Sequence, residues 1–202
     1  MSNKQIIISV GREFGSGGHE IAEKLADRFG LALYDNNLLT EIAEKKEIDI
    51  KSIEKYDEIP KNRLIFRNVN GYSNSPEENI AKIQFDYLRK KAENGESFVV
   101  VGRCSEEVLK DFDCMTSVFI LGDMDAKIKR IVKLYDVSED RAEKIIIQCN
   151  KKRKSYHNYY CKGKWGDSRN YELSINSSKL GTEITTDIIE MYINEKMRKS
   201  DT

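Results

Sequence analysis

The spacing of apolar residues changes in an ordered way along this chain. Gln5-Ile6-Ile7-Ile8-Ser9-Val10 is a β-branched run that stops at Gly11, the pattern of a strand buried on both faces of a parallel sheet. Helical spacing follows: Ile21, Ala22, Leu25, Ala26 and Phe29 recur on one face, and Gly30 is placed to close the helix. Leu31-Ala32-Leu33-Tyr34 predicts a second strand, with Asp35 as a cap for a helix carrying Leu38, Leu39, Ile42 and Ala43. Phe98-Val99-Val100-Val101-Gly102 and Ser117-Val118-Phe119-Ile120-Leu121-Gly122 are two more buried-strand runs, each ending in glycine. Helix dominates from Asp125 to about Tyr160. Tyr171-Glu172-Leu173-Ser174-Ile175 predicts a fifth strand, and Thr182 opens a final helix with Ile184, Ile188, Ile189 and Tyr192 on its apolar face.

Between Ile48 and Gly95 the apolar positions thin out and both prolines, Pro60 and Pro76, occur. Helices and loops outside the main sheet are expected there. Ser75-Pro76-Glu77-Glu78 restarts a helix with a serine cap, a proline at the first position and glutamate three residues after the cap. The alternation of strand and helix predicts an α/β fold: a three-layer, five-stranded parallel sheet flanked by helices, with ligands at the carboxyl ends of its strands. The 202 residues suit one domain, 1–202, with a mobile excursion.

Composition narrows the partners. Lys plus Arg (34) equal Asp plus Glu (34), so no overall positive charge favours nucleic acid or anionic membrane. No apolar run approaches the roughly 20 residues needed to span a bilayer, and the first residues lead straight into a strand. Cys104, Cys114, Cys149 and Cys161 show no C-x-x-C spacing, and only His19 and His157 could add metal ligands. Reduced thiols in a cytoplasmic protein, and no protein-held metal, are expected.

Between the first strand and first helix lies Gly11-Arg12-Glu13-Phe14-Gly15-Ser16-Gly17-Gly18-His19-Glu20-Ile21. Glycines here can take positive φ and turn successive amides toward an anion at a helix N-terminus. A tight turn that simply needs flexible residues is the alternative. The dinucleotide pattern G-x-G-x-x-G fails at Glu20. The pattern G-x-x-x-x-G-K-[ST] also fails: with Gly18 as its second glycine, the first falls on Glu13, the lysine on His19 and the hydroxyl on Glu20. His19 either faces phosphate, charged or as a neutral donor, or faces solvent.

The stretch from Ile8 to Ala22 with Tyr34-Asp35 after it resembles the cytidylate kinase-like family. Val101-Gly102-Arg103, Trp165-Gly166-Asp167, Tyr171-Glu172-Leu173 and Ile175-Asn176-Ser177-Ser178-Lys179-Leu180-Gly181 carry the resemblance through most of the chain. It implies a P-loop NTPase-type fold with a helical NMP-binding segment at 48–95 and a lid at about 150–170. It implies an ATP-dependent, Mg²⁺-assisted kinase acting on small-molecule nucleotides, CMP or dCMP. Two departures stand out. His19 replaces the loop lysine of cytidylate kinases, and Cys104 replaces the aspartate that follows their monophosphate-site arginine.

On this reading Gly15, Ser16, Gly17, Gly18, His19 and Glu20 hold the donor phosphates, and Arg12, Asp35 and Arg103 hold the acceptor. His19, Arg103, Lys151 and Arg153 carry the charge that develops during transfer. Asp35 read alone is also a helix cap, and Arg12 a surface ion-pair partner. Lys151-Lys152-Arg153-Lys154, with Lys162, Lys164 and Arg169 downstream, is either the cationic lid or a solvated helix face. Trp165 and Tyr171 read as core or hinge aromatics. The two replacements also admit a nucleotide-binding regulatory protein with little kinase activity, or a kinase with another acceptor.

Overall fold

The computed structural model describes residues 4–35, 37–46, 68–69, 72–73 and 76–199. Strand β1 (Ile7–Arg12) leads to α1 (Gly18–Phe29), β2 (Ala32–Tyr34) and α2 (Leu38–Lys46). A short ribbon follows, β3 (Asn68–Val69) and β4 (Tyr72–Ser73). After it come α3 (Pro76–Glu93), β5 (Phe98–Val101), α4 (Ser105–Val108) and β6 (Met115–Leu121). Then α5 (Met124–Tyr135), α6 (Glu139–Tyr160), a 3₁₀ turn at Ser168–Asn170, β7 (Leu173–Asn176) and α7 (Ser177–Lys199) complete the chain.

The five-stranded sheet has the order β2-β5-β1-β6-β7 with every pair parallel. The strand runs lack alternation because both faces are covered. Ile7, Phe98 and Val100 point to the side packed by Leu38 and Ile42 of α2, Leu88 of α3 and Tyr156 of α6. Ile8, Val10 and Val99 point to the other, against Ile21 and Leu25 of α1 and Ile189 and Ile193 of α7. Ile131 of α5 with Ala142 and Ile146 of α6 forms a smaller cluster. The expected three-layer α/β sheet is therefore present.

Local expectations shift where tertiary pairing decides them. β1 runs on to Arg12 because Gly11 and Arg12 pair with Phe119 and Ile120 of β6, so its end lies two residues beyond the apolar run. The helix expected from Asp125 to Tyr160 is two helices. Asp136 closes α5 at φ 51, and the Ser138 hydroxyl caps α6 by accepting from the Arg141 amide. Asp35 does not cap α2; its carboxylate accepts from the Asn37 amide at 3.0 Å, before the helix begins. Gly181 (φ 76) bends α7, so a straight run begins at Thr182 as expected.

Within 48–75 only the antiparallel β3–β4 ribbon is described. It lies outside the main sheet, in the stretch where helices and loops were expected, and the rest of that segment, Ser75 included, lies outside the described residues. The helix at Pro76 begins where the proline predicts. Among the described residues no helix is long and apolar enough to cross a membrane.

β1 is the central strand, and the Gly102 amide beyond β5 donates to the Val10 carbonyl at 3.0 Å. The chain therefore leaves these adjacent strands side by side, at the sheet edge where α/β folds place ligands.

Candidate functional site

The turn from β1 into α1 is held from outside. The Glu13 amide donates to the Ile120 carbonyl at 2.9 Å, and the Glu13 carboxylate accepts from the Gly122 amide at 3.2 Å and from Lys127 Nζ at 2.7 Å. Lys127 is 5% exposed, so this ion pair clamps the loop to the start of α5. The Phe14 amide donates to Asn150 Oδ1 at 2.7 Å, and Ser177 Oγ donates to the Ser16 carbonyl at 2.5 Å. With its carbonyls and side chains fastened outward, the loop turns through Gly15 (φ 82) and Gly17 (φ 80). Both are left-handed, where a Cβ is costly.

Six amides lie between Gly15 and Glu20. That of Ser16 reaches the Glu13 carbonyl at 3.4 Å and that of Gly18 reaches Ser16 Oγ at 3.3 Å. The amides of Gly15, Gly17, His19 and Glu20 have no acceptor among the described residues. Four open donors around a helix N-terminus form an anion cradle, because donors and helix dipole favour the same charge.

The cradle borders a cavity of about 960 Å³, lined also by Arg12, Asp35, Arg130, Lys152 and Arg153. Glu20 turns away from metal duty. Its carboxylate accepts from Thr182 Oγ1 at 2.6 Å and Arg130 at 2.7 Å. Burial works against its charge, but these bonds hold the carboxyl below its usual range. His19 is about half exposed, its Nε2 lying 3.4 Å from Glu23 and 3.5 Å from Asp35. At the outer wall Phe14 stacks with Tyr135 at 6.3 Å, and the Arg153 guanidinium lies 5.4 Å from the Phe14 ring centre. Leu134 and Tyr135 remain exposed there, a surface suited to a flat aromatic base.

A smaller cavity adjoins it, lined by Arg103, Glu106, His157 and Tyr171. Arg12 and Arg153 line both. Gly102, Arg103 and Cys104 take successive positive φ values of 75°, 59° and 54°. Two non-glycine residues in that conformation mark a strained turn of the kind found at ligand sites. Arg103 is 2% exposed and donates from Nη2 to the Asp35 carbonyl at 3.3 Å. Beneath it His157 Nε2 meets Glu106 Oε1 at 2.5 Å. Burial disfavours the imidazolium, yet the bonds to Cys161 and Glu106 win and push its pKa up to about 10. Cys161 is held below its ordinary value by the Cys104 hydrogen bond and by His157, against burial. Trp165 and Tyr171 pack on Phe119 at 5.3 and 5.0 Å, seating the segment after α6 on the central sheet.

Of the residues singled out in the sequence, Arg12, Gly15, Gly17, Gly18, His19, Glu20, Asp35 and Arg153 line one cavity. Ser16 is buried under it, and Arg103 lines the adjoining one. Lys151 is exposed and lines neither. Its neighbour Lys152 lines the large cavity, because each residue turns about 100° around a helix. Arg130 was missed, although Lys127 and Arg130 share a helix face just after a glycine-terminated strand, which was its available signal. The Glu106–His157 pair joins residues 51 apart, and no local pattern announces it.

A central strand, an open-amide glycine turn and a 2-3-1-4-5 order of the main-sheet strands define the P-loop kinase fold. The chain belongs to the cytidylate kinase-like family, whose profile matches residues 7–179. It is similar to a crystal structure of an uncharacterised protein from Eubacterium ventriosum ATCC 27560, with 42% identity over 94% of this chain and 99% of that one, at a TM-score of 0.76. Shikimate kinase from Bacteroides thetaiotaomicron shares the fold at 14% identity, covering 94% and 98%, with a TM-score of 0.55. Shikimate kinase from Aquifex aeolicus does so at 14%, covering 95% and 98%, with 0.52. No curated protein matches the chain.

Proposed function

We propose that the protein is an ATP-dependent nucleoside-monophosphate kinase, with CMP or dCMP as the acceptor that family membership suggests. The observation that carries this reading is the set of open amides at Gly15, Gly17, His19 and Glu20 on a cavity large enough for a nucleotide. These amides bind the donor's phosphate oxygens. Phe14, Leu134 and Tyr135 flank its base, and Arg130 and Lys152 add positive charge. Arg103, buried at the end of β5, holds the acceptor phosphate as a two-pronged donor. Arg153, which lines both cavities, stabilises the charge that spreads over the moving phosphoryl group.

Magnesium bound with the nucleotide supplies charge neutralisation between the phosphates. Asp35 and Glu23, both lining the cavity, are the carboxylates that could hold its waters. The segment of 150–170 acts as a lid that excludes water.

A second reading, nucleotide binding with little transfer, draws on the loop's missing lysine and on Cys104 in the acceptor turn. The test is ADP formation from MgATP with a panel of CMP, dCMP, UMP, AMP, GMP and, given the shared fold, shikimate. Cytidylate-dependent turnover is expected. Triphosphate binding without any acceptor-dependent ADP would select the second reading.

A further inference from the structure

The phosphate-loop pattern G-x-x-x-x-G-K-[ST] places a glycine at each end of the loop and a lysine just after the second glycine. Conformation, rather than counting, identifies the second glycine here. It is Gly17, left-handed at φ 80 and the N-cap of α1, and the helix opens on Gly18. The register taken from sequence therefore moves by one residue. The lysine position belongs to Gly18, and His19 takes the hydroxyl position. The first glycine position, five residues before Gly17, belongs to Arg12. A cation stands where the pattern has glycine, and glycine stands where it has a cation.

The geometry explains why the two positions change together. Gly18 is not among the positive-φ residues, so its backbone does not call for glycine. A Cβ at Gly18 would lie 2.5 Å from Arg12 Cβ, closer than atoms can pack, and in tight contact with Arg12 Cγ at 3.2 Å and Ile120 Cβ at 3.3 Å. Only one of these positions can carry a side chain. The Arg12 side chain therefore leaves the backbone from nearly the point where a lysine at 18 would leave it. It also lines both cavities, as a cation must to lie between donor and acceptor.

We propose that Arg12 is the catalytic cation that replaces the loop lysine, contacting the terminal phosphates of a nucleoside triphosphate. The proposal rests on the donor site described under the proposed function and revises the acceptor-side place read for Arg12 in the sequence. A guanidinium can bridge two phosphate oxygens in one plane, so one arginine can span the transferred group. The loop's histidine is not needed for that charge: its ring sits beside Glu23 and Asp35.

The exchange is tested by a cycle of four proteins: wild type, Arg12→Ala, Gly18→Lys, and the double variant Arg12→Gly with Gly18→Lys. Affinity for the magnesium complex of the non-hydrolysable β,γ-imido analogue of ATP is measured by calorimetry, adenosine serving as the phosphate-free control, and Tm is recorded for each. Arg12→Ala should weaken triphosphate binding at least tenfold while leaving adenosine binding and Tm near wild type. Gly18→Lys alone should lower Tm through the collision, and the double variant should recover both Tm and triphosphate affinity to within about threefold of wild type. A wild type that binds the analogue while Arg12→Ala binds it equally well overturns the proposal alone. So does a double variant no better than Gly18→Lys. A wild type that binds no triphosphate overturns the donor-site reading and this proposal together.

Discussion

Glu106→Gln gives the most demanding test of how the smaller cavity is built. Glu106 and His157 are both buried, at 9% and 6% exposure, and meet at 2.5 Å. Removing one member of a buried pair costs about 3–5 kcal/mol when the other charge is stranded. An imidazolium can shed its proton, which holds the expected loss near the lower end, about 3 kcal/mol. For a chain of this size that lowers Tm by roughly 6–12 °C. The pH dependence supplies a sharper signature. The folded-state pKa of His157 lies above its unfolded value, so the pair's contribution is complete below about pH 6.5 and is lost as pH rises through about 10. Burial raises the Tyr160 and Tyr171 phenols above their ordinary values, so these neighbours stay neutral across that window. Urea unfolding at pH 6, 7.5 and 9.5 should show wild-type stability falling with pH relative to Glu106→Gln, the gap closing toward the alkaline end. A gap that stays constant from pH 6 to 9.5 would refute the account of a charged pair.

Gly17→Ala forces a side chain into a left-handed position and puts its Cβ 2.8 Å from the Thr182 methyl; a loss of about 1–2 kcal/mol from the backbone alone is expected, with weakened triphosphate binding, read by thermal unfolding and calorimetry. Arg103→Ala removes the buried guanidinium of the left-handed turn after β5; on the proposed function KM for the monophosphate should rise at least tenfold while the dissociation constant for the ATP analogue stays within twofold, measured by steady-state kinetics and titration.

Much of the architecture was legible because the chain repeats one signal. Runs such as Phe98-Val99-Val100-Val101 fill both faces of a parallel strand, and Gly30 closes α1 in the left-handed conformation its position predicts. Glycines 15 and 17 were legible for the same reason, since local backbone geometry demands them. Boundaries set by partners were not. β1 extends to Arg12 because β6 pairs with it, and the break at Asp136 lets Ile131 meet Ala142 and Ile146. The identity of the cavity-lining cations was hidden too. Lys151 and Lys152 are adjacent and both exposed in a basic run, and only the rotation of α6 brings Lys152, and not Lys151, to the wall of the large cavity.

The amino-acid sequence by itself determined the alternation of strands and helices, the glycine turn after the first strand and the family. Each depends on residue type and short-range spacing, which a linear reading samples directly. Tertiary structure decided which chemistry surrounds that turn. Arg12 excludes a side chain at position 18, Arg130 secures Glu20, and His157 pairs with Glu106. These are contacts between residues 6, 110 and 51 positions apart, created by the side-by-side exit of β1 and β5 and the closure of α5 and α6 around them. Steric exclusion and ion pairing act over a few ångströms of space, whatever the distance along the chain.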